Sequence, residues 1–103
     1  MAGLLPITTH TLSATTSSGA TRTSAFADGT SSIMVTATED CFVAFESATP
    51  TATTASTFIT ADWPYTFYVP PAGVVSDPAS TGHKLAAITG TGTSTVYVTE
   101  LGN

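Results

Sequence analysis

Seven carboxylates, two histidines, one cysteine and eleven serines are the side chains of this 103-residue chain that could do acid–base, nucleophilic or metal chemistry. Around His10 and His83, however, no Cys, His or carboxylate stands at metal-ligand spacing. No G-x-S-x-G sequence or other nucleophile signature accompanies the serines. The sequence therefore predicts no catalytic residue, no metal ligand and no cofactor-binding residue, and we expect the protein not to be an enzyme.

The lone cysteine and a pair of glycines have simpler structural interpretations. Cys41 alternates with Val43 and Phe45, which predicts a small buried side chain in a strand, and a single cysteine cannot form an internal disulfide. Gly90 and Gly92 join two predicted strands and do not open a helix. They are therefore typical of a hairpin loop and not of a dinucleotide-binding sequence.

Four aromatic residues lie close together between positions 63 and 68. In a strand, Tyr65 and Phe67 face one way and Tyr68 faces the other. Tyr65 and Phe67 are predicted to belong to the core. Trp63 and Tyr68, whose rings carry polar groups, are predicted to lie at the surface or in a subunit interface. The alternative for these two residues is a platform on which a sugar ring stacks.

An apolar arm, residues 1–7, precedes the first alternating segment. Leu4, Leu5 and Ile7 are aliphatic, and Pro6 cannot donate to a hydrogen-bond ladder at the centre of a sheet. Exposed aliphatic side chains at a terminus suggest docking on a neighbouring chain, so these three are predicted interface residues. A frayed end, or an edge strand of the chain's own domain, is the alternative.

The composition is poor in charge and rich in hydroxyls. Charged residues make up 9% of the chain, against about 25% in an average soluble domain. Threonine occurs 23 times and serine 11 times. Because surface charge is what usually keeps monomers apart, this composition predicts that other subunits cover part of the surface.

The sign of the charge excludes some partners. Arg22 and Lys84 are the two basic residues of a chain whose net charge is −5, too few to neutralise the phosphates of a nucleic acid or an anionic membrane. No apolar run approaches the roughly 20 residues of a membrane helix. The first residues lack the positive segment of a signal peptide, so we expect synthesis in the cytoplasm, for which a bacterial host fits.

Alternation with a period of two dominates the chain and predicts seven or eight short strands. We expect hairpins at Glu39-Asp40 and at residues 90–94. The predicted fold is all-β, either an antiparallel β-sandwich of jelly-roll-like form or a small barrel, with residues 8–103 as one domain. The predicted strands are residues 8–17, 20–26, 32–38, 41–46, 57–60, 65–69, 83–89 and 95–100.

The order of these segments resembles that of small structural proteins from tailed bacteriophages. The resemblance is carried by residues 8–18, by the segment 32–45, by YTFYVPPAG at 65–73 and by HKLAAITGTGTSTVYVT at 83–99. Its most specific part is the last, in which LAAI and TVYVT flank a Gly-Thr turn.

The resemblance implies a β-sandwich protein that decorates (cements) the capsid, or an accessory protein of the head or tail, with no enzyme activity and no cofactor. It implies a homo-oligomer, most often a trimer, that binds the major capsid protein on the virion surface. A tail or fibre module that recognises the host or a carbohydrate is the alternative function.

Overall fold

The structure is a computed structural model that describes residues 5–27, 29–47, 49–69 and 83–102. These residues form seven strands and no helix, which confirms the all-β class. Leu4 lies outside the described residues. The strands are β1 (Leu5–Ala14), β2 (Thr30–Ala37), β3 (Cys41–Ser47), β4 (Thr57–Ile59), β5 (Tyr65–Tyr68), β6 (His83–Ile88) and β7 (Ser94–Gly102).

Two antiparallel sheets enclose the core, as in a small β-sandwich. The four-stranded sheet has the order β1-β7-β2-β5, and the three-stranded sheet has the order β4-β3-β6. Alternate residues of each strand point inward, as the period of two requires. The core residues are Leu12, Ala14, Phe26, Ile33, Val35, Ala37, Cys41, Val43, Ile59, Val69, Leu85, Ala87, Val96 and Val98. Tyr65 and Phe67 pack against them, which confirms the predicted inward face of β5.

The predicted hairpins at 39–40 and 90–94 are wrong. β2 and β3 lie in different sheets, as do β6 and β7, so both connections cross from one sheet to the other. An alternating pattern cannot separate the two arrangements, since each leaves the apolar side chains facing the same core. The two crossings are joined by Ser94, whose Oγ accepts from Glu39 N–H at 3.1 Å and donates to Glu39 C=O at 2.9 Å.

The predicted strand at 20–26 is also wrong. This segment makes one isolated bridge, between Arg22 and Ala86, and otherwise runs irregularly along the edge of β6. The Thr23 hydroxyl oxygen accepts from Leu85 N–H at 3.0 Å, in place of a main-chain carbonyl. A side-chain acceptor breaks the regular ladder, so the segment covers the edge of β6 without becoming a strand.

The first strand begins earlier than predicted. β1 starts at Leu5 instead of residue 8, and it pairs Leu5 with Gly102 and Pro6 with Leu101. Pro6 is accommodated because β1 is an edge strand, and the register shifts between Pro6 and Thr8. The described part of the predicted arm is thus an edge strand of its own domain.

Two loops pack together on the outer side of the three-stranded sheet. Ala52 N–H donates to Gly19 C=O at 2.9 Å, and the Arg22 side chain donates to Pro50 C=O at 2.7 Å. Ala52 and Pro50 are both buried, although they lie in a loop. The chain between β3 and β4 is therefore fastened to the chain between β1 and β2.

The substitution Gly19→Ala tests this fastening. A β-carbon at Gly19 would lie 2.3 Å from the Ala52 carbonyl oxygen, so the two loops must move apart. We expect a loss of about 1–3 kcal/mol in the free energy of unfolding, measured by urea denaturation. Gly29→Ala is the matched control, since a β-carbon there meets nothing within 4 Å. Equal stability of the two variants would contradict the packing described here.

Candidate interaction surfaces

The outer side of the four-stranded sheet is uncharged. Its strands contain no Lys, Arg or Asp, and their single carboxylate, Glu100, is buried inside. Cross-strand pairs of hydroxyls cover much of it, as where the Oγ1 atoms of Thr9 and Thr99 lie 3.1 Å apart. We call this surface the hydroxyl face, and its residues are Thr9, Thr11, Ser13, Ser32, Met34, Thr36, Thr66, Tyr68, Thr95, Tyr97, Thr99 and Leu101.

The predicted interface residues lie at the surface but not together. The exposed fractions are 64% for Leu5, 46% for Ile7, 64% for Trp63 and 69% for Tyr68. Leu5 and Ile7 belong to β1, at one edge of the four-stranded sheet, whereas Tyr68 belongs to β5 at the other edge. Trp63 precedes β5 and Tyr68 ends it, so the two rings are separated by that strand, about 10 Å long.

A second exposed apolar group was not singled out from the sequence. Phe42 pairs with Phe58 on one side and with Ile88 on the other, which forms a row across the three-stranded sheet. The Phe42 and Phe58 ring centres are 5.4 Å apart, and Phe58 is 49% exposed. The sequence does contain a signal for this group. A strand with one solvated face alternates apolar and polar residues, whereas β3 begins with an unbroken apolar run, which indicates apolar side chains on both faces.

Glu100 is a buried carboxylate at one end of the sandwich. It is 1% exposed and points inward beside Val98. One oxygen accepts from Ala27 N–H at 2.7 Å and from the Thr30 hydroxyl, and the other bonds His10 Nε2. Burial by itself would raise the pKa of Glu100. The hydrogen bonds from Thr30, Ala27 and His10 outweigh burial and hold this pKa below its usual value.

His10 and Glu100 are residue types that form catalytic acid–base pairs, but here the hydrogen bonds of Glu100 connect parts of the fold. His10 is largely buried and its ring packs against Phe26, with ring centres 5.7 Å apart. Each Glu100 oxygen already has a partner from the chain itself, so the carboxylate holds β1, β2 and β7 together. In residues 5–27, 29–47, 49–69 and 83–102, no three His, Cys, Asp or Glu side chains are grouped so as to hold a metal ion.

Cys41 is fully buried, as predicted from its alternation with Val43. Burial, with a smaller contribution from the negative charge of Asp40, raises the pKa of the Cys41 thiol to about 11. The thiol is therefore protonated at neutral pH and behaves as a small apolar side chain.

A cavity of about 440 Å³ opens at the edge of the sandwich beside β3. It is lined by residues 43–46 of β3 and by Phe67 of β5. Thr51 and Ser56, from the loop before β4, and Thr57, from β4 itself, complete the lining. We call this cavity the β3 slot.

Comparisons with protein-family models, with curated proteins and with solved structures find no match to this chain. Within its described part, no helix is long and apolar enough to cross a membrane.

The substitution Glu100→Gln tests the buried carboxylate. We expect a loss of about 1–3 kcal/mol in the free energy of unfolding at pH 7, because an amide cannot accept all the hydrogen bonds made now. Because the folded pKa is lowered, the carboxylate's contribution is complete above the unfolded value near 4.5 and disappears as pH falls through the folded value.

The difference in stability between the native chain and the Glu100→Gln variant should therefore shrink in acid. Urea denaturation at pH 7, 5 and 3 measures it, with the exposed Glu46→Gln as the control. An equal loss in the control, or a difference that does not change with pH, would contradict this role.

Proposed function

We propose that this chain is a structural subunit of a tailed-phage virion, a homo-oligomeric decoration (cement) protein that binds the head shell. The observation that carries the proposal is the hydroxyl face. It has no charge, and it contains Met34, Tyr68 and Tyr97. Depletion of charge with enrichment in Tyr and Met is typical of the buried centre of protein interfaces.

The size of the hydroxyl face suits a protein partner. Its longest described strands, β1 and β7, have ten and nine residues and so are about 30 Å long. Four strands about 4.8 Å apart give a face of roughly 500 Å². Covering it with an equal surface would bury about 1,000 Å² in total, which is near the lower limit for a specific interface. The exposed Leu5 and Ile7 lie at the β1 edge and would extend it.

Such a subunit would act through binding alone. A protein that binds the assembled shell and not its separated subunits shifts the equilibrium toward the intact shell. At a free concentration 100 times the Kd, the gain is about 2.7 kcal/mol per site. Repeated over the surface of a shell, this resists internal pressure without any chemical step.

A carbohydrate-binding module of a tail or fibre is the second candidate. Trp63 favours it, because an indole ring that is 64% exposed is a suitable stacking surface for a sugar. A glycan array with the native chain and the Trp63→Ala variant separates the two functions. Glycan binding that disappears in Trp63→Ala would favour the module over the decoration protein.

Cosedimentation with shells of the encoding phage, prepared from a strain that lacks this gene, tests the main proposal. We expect the native chain to pellet with the shells and Tyr97→Glu to bind at least tenfold more weakly, because it places a charge on the hydroxyl face. Thr54→Glu is the control, since Thr54 is exposed in a loop of the other sheet.

Light scattering on the native chain should give a mass three times 10.4 kDa. Absence of the native chain from the pellet, or equal binding of Tyr97→Glu and Thr54→Glu, would contradict the proposal. Circular dichroism checks that each variant keeps the β-sheet spectrum.

A further inference from the structure

The two strands beside the β3 slot differ in length. β3 has seven residues, and the three residues of β4 pair only with Cys41, Phe42 and Val43. Residues 44–47 pair with β6 on their other side, but among the described residues they have no strand partner on the β4 side. In an antiparallel ladder, alternate residues direct both N–H and C=O to the same neighbour. Two of these four residues therefore direct a donor and an acceptor each toward the vacant side.

The loop between β3 and β4 leaves this edge uncovered because it is held elsewhere. Its bonds to Gly19 and Arg22 draw it across the outer side of the three-stranded sheet. It then turns back before β4 begins. Ser56 N–H donates to Thr53 C=O at 2.9 Å, and Thr53 N–H donates to Ser56 Oγ at 2.9 Å. A longer β4 would pair with residues 44–47 of β3, and the β3 slot lies beside these residues.

We propose that the β3 slot binds an extended, uncharged segment of a partner polypeptide, which adds a strand antiparallel to β3 and in line with β4. An unpaired strand edge offers donors and acceptors at the spacing of an extended backbone, which a peptide matches. The cavity volume is within the range of small-ligand pockets, so side chains of the segment can enter beside Phe67.

The charges of the slot select the segment further. Glu46 is the one charged residue among those that line it, and its cross-strand neighbour Lys84 lies on β6, on the side away from the vacant edge. Acidic segments and free anions are therefore disfavoured. Because Lys84 lies directly opposite Glu46 in the β3–β6 ladder and offsets its charge, a neutral segment is favoured over a basic one. That the segment belongs to a neighbouring virion subunit rests on the function proposed above, whereas the strand addition rests on the slot alone.

Titration of the ¹⁵N-labelled chain with the probe acetyl-Thr-Val-Thr-Val-Thr-amide, followed by NMR, tests the inference. We expect chemical-shift changes at residues 44–47, Thr57 and Phe67. The same peptide methylated at every amide nitrogen should cause none, because it cannot donate to a strand edge.

Thr51→Trp should raise the Kd of the probe at least tenfold by filling the slot, since Thr51 lines it and is exposed. Thr54→Trp, in the same loop but outside the lining, is the matched control and should leave the Kd unchanged. Both variants must keep the native β-sheet spectrum, and a second blocking variant, Thr57→Trp, at another exposed lining residue, replaces Thr51→Trp if that chain does not fold.

Three results would overturn the inference: no shift changes up to the solubility limit of the probe, equal changes with the methylated peptide, or changes confined to the hydroxyl face. If the native chain responds to the probe peptide but does not bind shells, the proposed function is contradicted and the peptide site is not. If the native chain binds shells but does not respond to the probe peptide, the peptide site alone is contradicted.

Discussion

The buried Glu100 carboxylate is the interaction on which the arrangement of the four-stranded sheet depends. It projects from β7 and bonds His10 of β1, Thr30 of β2 and the backbone of Ala27. A buried carboxylate is costly unless its partners are present together, so these elements stabilise one another in the folded sheet around β7. β7 lies between β1 and β2 in the sheet, so neither β1 nor β2 can pair in this arrangement without it.

Because Glu100 is buried, the outer side of the four-stranded sheet carries no charge. One carboxylate of the four-stranded sheet is inside, and the exposed carboxylates Glu39, Asp40 and Asp62 lie in connections near the other end of the sandwich. Asp40 there accepts from Ala61 N–H at 2.7 Å and shapes the turn before β5. The broad side of the sheet is left with hydroxyls and aromatic rings, which a protein partner can cover without desolvating a charge.

Much of the fold could be predicted because alternation reports which side chains face the core. Cys41 and Phe67 were assigned to the correct side of their strands on that basis alone. Alternation carries no information about which sheet a strand joins, so it predicts hairpins at the connections before β3 and before β7, both of which cross between the sheets. Pro6 excludes the centre of a sheet but not an edge strand, so the sequence left both arrangements of Leu5 and Ile7 open, and the structure has the edge strand.

The sites were less predictable because they depend on contacts between distant positions. Glu100 follows Val98 in the inward pattern, but its partners are at positions 10, 27 and 30, and no local motif joins them. The β3 slot depends on β4 being shorter than β3. That difference follows from the contact of Ala52 with Gly19, more than 30 positions away in sequence.

Hydrogen–deuterium exchange, compared residue by residue between the free chain and the shell-bound chain, tests the central claim most directly. The claim is that the protein acts through its surfaces as a bound subunit. It predicts slower exchange on binding in β1 and β5, the edge strands of the hydroxyl face, and at the edge of β3 that faces the β3 slot. Unchanged exchange in all three strands, or protection confined to the loops outside the hydroxyl face and the slot, would contradict it.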